Sequence, residues 1–548
     1  MSGGRDDPHT IEANGMNPED LTAVVKRVTA MDVGGMMRRG ASFHREKVFL
    51  VYNDRRLTFG EVLDRTDRLS VGLTQHCGIR KGERVAMLLQ NRPEFIETYW
   101  AVVQLGAVIV PVNFRLTIKE IAYILNNAGV RVLIAQPNFA PMYDELRHSV
   151  PSLETILTVA GEDAETNSYE ALINNASGAP ALPYIDECDP CSLLYTAGTT
   201  GFPKGAVRTH KAVMWYSLLG THRLGPDDAY LAVPPLFHIG GHELWIMNAA
   251  MQGAKIVLLE RFDPLQVLTV IQHERITVAF IPPAIGIGML QAMQGGAWDL
   301  SSLRSWLSAS APLPAKVRDE ATTRLPSMRF SNGLGMTEAG GIAFLQGHEV
   351  LRKPSTCVGF PSPTVDIRIV DANDADVAPG QPGEIILRSP QIIEEYWDNP
   401  TATAEAMRNG WFHGGDAGAF DEDGHLHVLD RIKDMVITGG ENVHAAEVEN
   451  VLFHMPEVLE AAIIGIPDEK WGEAVTAVVA PKPGHSLTEA ELIARCRNEI
   501  AHYKCPRRVI FVEALPRNAM GKVLKYELRE RYGGTGSHVP ESTVALKQ

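Results

Sequence analysis

The densest chemistry in the chain lies in Leu194-Tyr195-Thr196-Ala197-Gly198-Thr199-Thr200-Gly201-Phe202-Pro203-Lys204-Gly205. The segment holds three glycines, three threonines and a lysine at the end of a strand-like run, Ser192 to Thr196. Glycines let successive backbone N–H groups converge on one anion, threonines add hydroxyl donors, and the lysine ammonium adds a point charge. That set suits a polyphosphate. It is not a Walker A loop, because Pro203 stands where the second glycine belongs and Lys204 is followed by Gly205 rather than Ser or Thr.

A loop of this kind needs rigid elements to hold it. Thr58-Phe59-Gly60-Glu61 is a capping-box pattern that opens a helix, and Thr117 with Glu120 opens another. Val85 to Leu89, Ala107 to Val112 and Val130 to Ala135 are apolar runs of strand length, and Ile96, Tyr99, Trp100 and Val103 share one helical face. Strands alternating with helices predict an α/β layered unit with a largely parallel sheet. The pattern resumes after the polar stretch Gly161 to Pro190 and runs to about residue 345. It then changes: Val365, Ile367 and Ile369 alternate with polar residues, and Asp371 to Gly383 is dense in turn formers, as in a small antiparallel unit. Asp434 to Arg531 reads as an α+β module, with helices over Glu447 to His454 and Glu489 to His502. Its strands fall at Ala461 to Ile466, Ala474 to Ala480 and Val509 to Val512. Met1 to Asn14 and Gly533 to Gln548 read as loose ends.

With 548 residues the chain is too long for one core and implies several domain-sized units. Its formal charge of −15 argues against a general nucleic-acid binder, so an anionic ligand must be met by local cations and backbone donors. No apolar run approaches the roughly 20 residues of a membrane span, and the N-terminus lacks a signal-peptide core. A cytoplasmic protein is expected. Six cysteines make no disulfide framework. Cys188 and Cys191 form a C-x-x-C without a second ligand pair, and read as two thiols entering a strand.

The Leu194 to Gly205 segment resembles the phosphate loop of the adenylate-forming superfamily, which includes acyl-CoA synthetases, amino-acid adenylation domains and beetle luciferases. Other segments resemble that family in the same order. Gly335-Met336-Thr337-Glu338 is similar to its G-x-T-E segment. Gly410-Trp411-Phe412, Gly415-Asp416 and Asp430-Arg431-Ile432-Lys433-Asp434 resemble its ribose and hinge segments. Gly439-Gly440-Glu441-Asn442-Val443 and Pro516-Arg517-Asn518-Ala519-Met520-Gly521-Lys522 resemble its later motifs, so the likeness covers nearly the whole chain. It implies an α/β fold: residues 1–432 as a large AMP-binding domain of two α/β subdomains with a small β-barrel at about 357–430, then residues 433–548 as a small mobile α+β domain.

The resemblance also implies residue roles. Thr196, Gly198, Thr199, Thr200, Gly201 and Lys204 would hold the β- and γ-phosphates of ATP. Thr337 would donate to the α-phosphate, and Glu338 would hold Mg²⁺, a hard cation that prefers carboxylate oxygen. Asp416, supported by Arg431, would accept from the ribose hydroxyls, while Ser310, Ala311 and Pro312, with Gly335 and Met336, would lie along adenine. Lys522 would bridge the acid's carboxylate and the α-phosphate. Lys433 would be the hinge of the C-terminal domain, Gly440 would line the coenzyme A tunnel, and His238 would gate it. The acyl pocket would take Ile239, Gly240, Gly241, Ile285, Gly333, Gly340 and Gly341. Its glycines are expected to leave volume, favouring a sizeable uncharged tail: medium-chain fatty or aromatic or alicyclic acids.

Several positions depart from the family pattern. Ala197 replaces a serine, Leu334 the aromatic that stacks on adenine, Gly414 a threonine, Ala445 a proline and Asn518 a threonine. No carboxylate precedes Glu243 in the segment beginning Pro235-Leu236-Phe237-His238, so an amino-acid ammonium would lack its counter-charge. The expected activity is therefore acyl-CoA ligase, with ATP, Mg²⁺, coenzyme A and a carboxylic acid as ligands. Delivery to a carrier protein and a non-catalytic nucleotide binder are the alternatives, and a homodimer is allowed for.

Overall fold

The computed structural model describes residues 25, 30–159, 168–196, 203–218, 224–310, 313, 315–347, 349–431, 434–438, 441–468, 470–485, 487–517 and 523–533. Both capping boxes form. Thr58 accepts from the Glu61 N–H and Glu61 caps the Thr58 N–H at the start of helix Phe59–Cys77, and Thr117 and Glu120 do the same for Ile118–Ala128. Helix Pro93–Gln104 is buried on every side rather than on one face. The apolar cluster around it joins residues of two sheets, from Val85 and Ile109 in one to Phe49 and Tyr230 in the other.

The first sheet runs Thr155–Thr158, Val132–Ala135, Arg84–Leu88, Val108–Pro111, Pro190–Thr196, Lys204–Thr209, parallel except for the last pair. In the second, Val48–Tyr52, Lys255–Leu258, Ala229–Ala232, Val278–Phe280, Ser305–Ser308 and Arg329–Met336 run parallel. Helices cover both sheets, as the alternating pattern predicts. Thr196, Ser310 and Thr337 all stand at or just beyond the carboxyl ends of parallel strands, where sheets of this kind place ligands.

The antiparallel strands after residue 357 do not form the small barrel expected. Cys357–Pro361 pairs with Gly340–Gln346 and with Leu426–Arg431, followed by Trp411–Phe420, Gly383–Arg388 and Asp366–Val370. Because Gly340–Gln346 folds back antiparallel onto Arg329–Met336, the last of the parallel strands, the run extends that sheet. Asp366–Val370 is left as an open edge among the described residues.

The C-terminal unit is a sheet of Glu441–Val443, Val436–Thr438, Gly472–Pro481 and Val458–Asp468, with Arg508–Phe511 alongside, and it has its own apolar clusters. Helix Glu489–Glu499 ends before the expected His502. Ile500 is extended, and the chain turns back through the Lys504 N–H to Ala501 carbonyl bond while the Lys504 ammonium pairs with Glu447 at 2.7 Å. Cys191 lies buried inside strand Pro190–Thr196 against Tyr99, and Cys188 is exposed just before it. No helix among the described residues is long and apolar enough to cross a membrane.

Candidate active site

Strands Pro190–Thr196 and Lys204–Thr209 form a hairpin in which Thr196 faces Lys204. The two ends of the phosphate segment are thereby fixed opposite each other, while Gly198, Thr199, Thr200 and Gly201 lie outside the described residues. The Thr196 hydroxyl points to the Glu338 carboxylate at 3.4 Å, and the Tyr396 hydroxyl donates to the same oxygen at 3.0 Å. The Lys204 ammonium stands 5.3 Å from the centre of the Tyr396 ring. Thr196, Lys204 and Glu338 therefore converge, and the residue that joins them, Tyr396, was not read from the sequence. Its segment carries no periodic signal. It docks as an extra extended strip, with Tyr396 bridged to Ala206 and the Trp397 N–H bonded to the Gly205 carbonyl at 2.7 Å.

Glu338 sits in the turn between strands Arg329–Met336 and Gly340–Gln346, where Gly335 faces Gly341 and Met336 faces Gly340. A side chain at Gly335 would place its Cβ 2.8 Å from the Gly340 carbonyl, so the tight hairpin requires glycine there. Leu334 packs against the cluster of the antiparallel extension. Gly414 lies under Met336, whose methyl would be 2.8 Å from an added Cβ; the methionine fills the space that the departure from threonine leaves.

Asp416 is 5% exposed and pairs in register with the backbone of Arg431. Ser310 is exposed in left-handed backbone with φ 76°, a conformation costing a non-glycine residue about 1–2 kcal/mol. Ala311, Pro312, Lys433, Gly440 and Lys522 lie outside the described residues.

His238 precedes the short helix Ile239–His242, its ring 4.6 Å from that of Phe237. Burial, helped by the nearby Arg115 cation, pushes its pKa down to about 4, so the ring is neutral at physiological pH. His242 is buried 4.0 Å from the Tyr99 ring, and burial pushes its pKa down to about 3. Glu243 is turned to an internal partner. It is 1% exposed and bound to the fully buried Arg208, whose Nη2 lies 2.8 Å away.

The acyl-pocket glycines do not leave empty volume at their own positions. An added Cβ would fall 3.1 Å from Phe280 at Gly240 and 2.4 Å from the Pro235 carbonyl at Gly241. It would fall 2.7 Å from Phe344 at Gly333, 2.8 Å from Tyr216 at Gly340 and 2.6 Å from Phe344 at Gly341. Apart from Gly241, these glycines let aromatic rings lie against the backbone. Ile239 and Phe344 pack on the same cluster, but Ile285 joins the cluster holding Trp306. Phe280 and Leu307 belong to the first cluster and their neighbours Ala279, Ile281 and Trp306 to the second. Ile285 is thus on the opposite face of the sheet, carried there by helix Pro283–Ala292.

The AMP-binding enzyme family matches residues 37–397, and the AMP-binding enzyme C-terminal domain matches residues 447–522. The feruloyl-CoA synthase of Amycolatopsis sp is 39% identical over 87% of this chain and 94% of its own length. A long-chain-fatty-acid–CoA ligase of Mycobacterium tuberculosis is 35% identical over 92% and 99%. Among solved structures, ATP-bound MatB from Rhodopseudomonas palustris superposes with a TM-score of 0.84 at 29% identity, covering 92% of this chain and 99% of that one. The chain belongs to the adenylate-forming superfamily of AMP-binding enzymes. Within that superfamily it is an acyl-CoA ligase, joining an acid to a thiol through an acyl-adenylate, with ATP and coenzyme A as substrates.

Proposed function

We propose that this ligase acts on uncharged carboxylic acids of medium size, with aromatic or alicyclic acids preferred over short straight chains. The observation that carries the reading is the wall of Phe280, Phe344 and Tyr216 laid against glycine backbone, with Glu243 neutralised by Arg208 and His238 held neutral. Flat apolar walls bury flat apolar ligands well and give a second carboxylate no partner. The names of two relatives, the feruloyl-CoA synthase and an indoleacetate–CoA ligase of Aromatoleum aromaticum at 34% identity, support a ring-bearing acid.

In the first half-reaction a carboxylate oxygen bonds to the α-phosphorus of ATP, and the bond to pyrophosphate breaks. Both reactants are anionic, so fixed donors and cations must meet the charge. Thr196, Gly198 to Gly201 and Lys204 take the β- and γ-phosphates, Thr337 the α-phosphate, and Lys522 spans the attacking oxygen and the phosphorus it reaches. Asp416 with Arg431 takes the ribose, and Ser310 to Pro312 with Gly335 and Met336 take the adenine.

Magnesium ion suits Glu338. Its carboxylate is half-buried, accepts from two hydroxyls and pairs with no Lys or Arg among the described residues, which leaves a negative site beside the phosphate hairpin. The ion, when bound, supplies positive charge to the polyphosphate.

In the second half-reaction the coenzyme A sulfur bonds to the acyl carbon, the bond to AMP breaks and the thiol proton is released. Neutral His238 can swing without carrying charge into an apolar gate, Gly440 gives the pantetheine arm room, and rotation at Lys433 exchanges Lys522 for Gly440 at the site. The same reading places the enzyme in the cytoplasm.

Pyrophosphate release and thiol loss are to be followed across acetate, hexanoate, octanoate, benzoate- and cinnamate-type acids and dicarboxylates. At about 0.8 kcal/mol per buried methylene, kcat/KM should rise at least tenfold from acetate to a six- to eight-carbon acid, with ring acids at or above octanoate. A preference for acetate or a dicarboxylate overturns the reading, and pyrophosphate without thiol loss points to a carrier-protein acceptor.

A further inference from the structure

We infer that Arg208 is a positioning residue that ties the acyl-binding segment to the Thr337–Glu338 turn through Gln391. Arg208 is wholly buried on the strand that also carries Lys204. Its Nη2 and Nε donate to one oxygen of Glu243 at 2.8 and 3.1 Å, and its Nη1 donates to the backbone carbonyl of Gln391. Gln391, also wholly buried, uses its side-chain amide to donate to the carbonyls of Ala339 at 2.6 Å and Gly341 at 2.7 Å. Those carbonyls flank Gly340 in the hairpin whose turn holds Glu338, and the Ile393 N–H fixes the Glu338 carbonyl at 2.8 Å. Hydrogen bonds of Arg208, Gln391 and Ile393, joined through the backbone of residues 391–393, thus link Glu243, in the acyl segment, to the backbone of Glu338.

Stability alone gives weak reason for this arrangement, because a buried Arg–Glu pair is often no more stabilising than apolar side chains of the same volume. Apolar side chains could not donate to Gln391. What the ion pair adds is a fixed place for the Gln391 backbone, from which the side-chain amide reaches the turn that presents Thr337 and Glu338. The inference rests on the reading of Glu338 as the magnesium-binding carboxylate.

Gln391→Met keeps the volume and the Arg208–Glu243 pair but removes the amide donor. The measurement is calorimetric binding of ATP at graded Mg²⁺ concentrations, with each half-reaction assayed in parallel. The expected result is a Mg²⁺ concentration for half-maximal ATP binding raised roughly five- to tenfold, the scale of one or two lost oriented hydrogen bonds. Thioester formation from supplied acyl-AMP should stay near wild type. Arg208→Met combined with Glu243→Leu, which leaves no charge unpaired, should show the same Mg²⁺ shift and carries the test if Gln391→Met does not fold. A wild-type Mg²⁺ dependence in either variant overturns the proposal, as does equal loss in both half-reactions of Gln391→Met. Glu338→Gln is measured alongside. If it leaves the Mg²⁺ dependence unmoved, the reading of Glu338 fails; if it shifts that dependence and the other variants do not, only the role of Arg208 fails.

Discussion

Removing His242 should change how many protons the protein takes up on unfolding. The ring is 2% exposed beside Tyr99 and Phe95, and its Nε2 has no hydrogen-bond partner among the described residues. Burial pushes its pKa from 6.5 down to about 3. Above pH 6.5 the ring is neutral both folded and unfolded and adds no pH dependence. Between pH 6.5 and 3 only the unfolded chain binds the proton, so stability falls as pH falls across that window. At 1.36 kcal/mol per pH unit the loss reaches about 2 kcal/mol at pH 5 and about 5 kcal/mol at pH 3. At pH 5.5 an unfolded histidine is about nine-tenths protonated, so His242→Leu should lower proton uptake on urea unfolding by about 0.9. Counting protons by pH-stat needs no two-state transition, which a chain of several domains is not expected to give. His210 and His238, both pushed down to about 4, should add nearly as much each to the wild-type uptake. Unchanged uptake at pH 5.5 in His242→Leu would refute the reasoning, because His242 would then already be charged in the folded protein.

Tyr396→Phe keeps the ring near Lys204 but removes the hydroxyl that donates to Glu338. A hydrogen bond to a charged group contributes about 1.5–3 kcal/mol, so KM for Mg·ATP should rise at least tenfold; an unchanged KM would remove Tyr396 from the site. Phe344→Ala should lower stability, by less than the roughly 3–5 kcal/mol of a fully buried phenylalanine, and shift kcat/KM toward bulkier ring acids, because both Gly333 and Gly341 pack on that partly buried ring. Identical acid profiles would mean that Phe344 does not wall the pocket. Lys522→Ala should lose acyl-AMP formation by several kcal/mol of transition-state energy yet still convert supplied acyl-AMP to thioester. Equal loss in both assays would sink the two-conformation reading.

The features legible in the sequence are those whose cause lies within a few residues. The Thr58–Glu61 and Thr117–Glu120 boxes span three positions, so their geometry follows once a helix starts, and both form. The Gly/Thr/Lys composition of Leu194 to Gly205 suggests a polyphosphate ligand from one loop alone, because backbone donors and a cation there need little help from elsewhere. Of that loop the structure describes the two ends, with Thr196 facing Lys204. What the tertiary structure decided are the contacts set by sheet register. Tyr396 reaches Glu338 across 58 positions because the strip from Gln391 to Trp397 docks on the strand Lys204–Thr209, and Arg208 reaches Glu243 across 35 because the segment after helix Ile239–His242 packs over that strand. The expected barrel became a sheet extension for the same reason, since strand alternation does not say which edge a strand will join. Ile285 and the pocket glycines show the remaining gap. A glycine in sequence is an absent side chain, and whether that absence becomes empty space or a seat for Phe344 depends on which ring the fold brings against it.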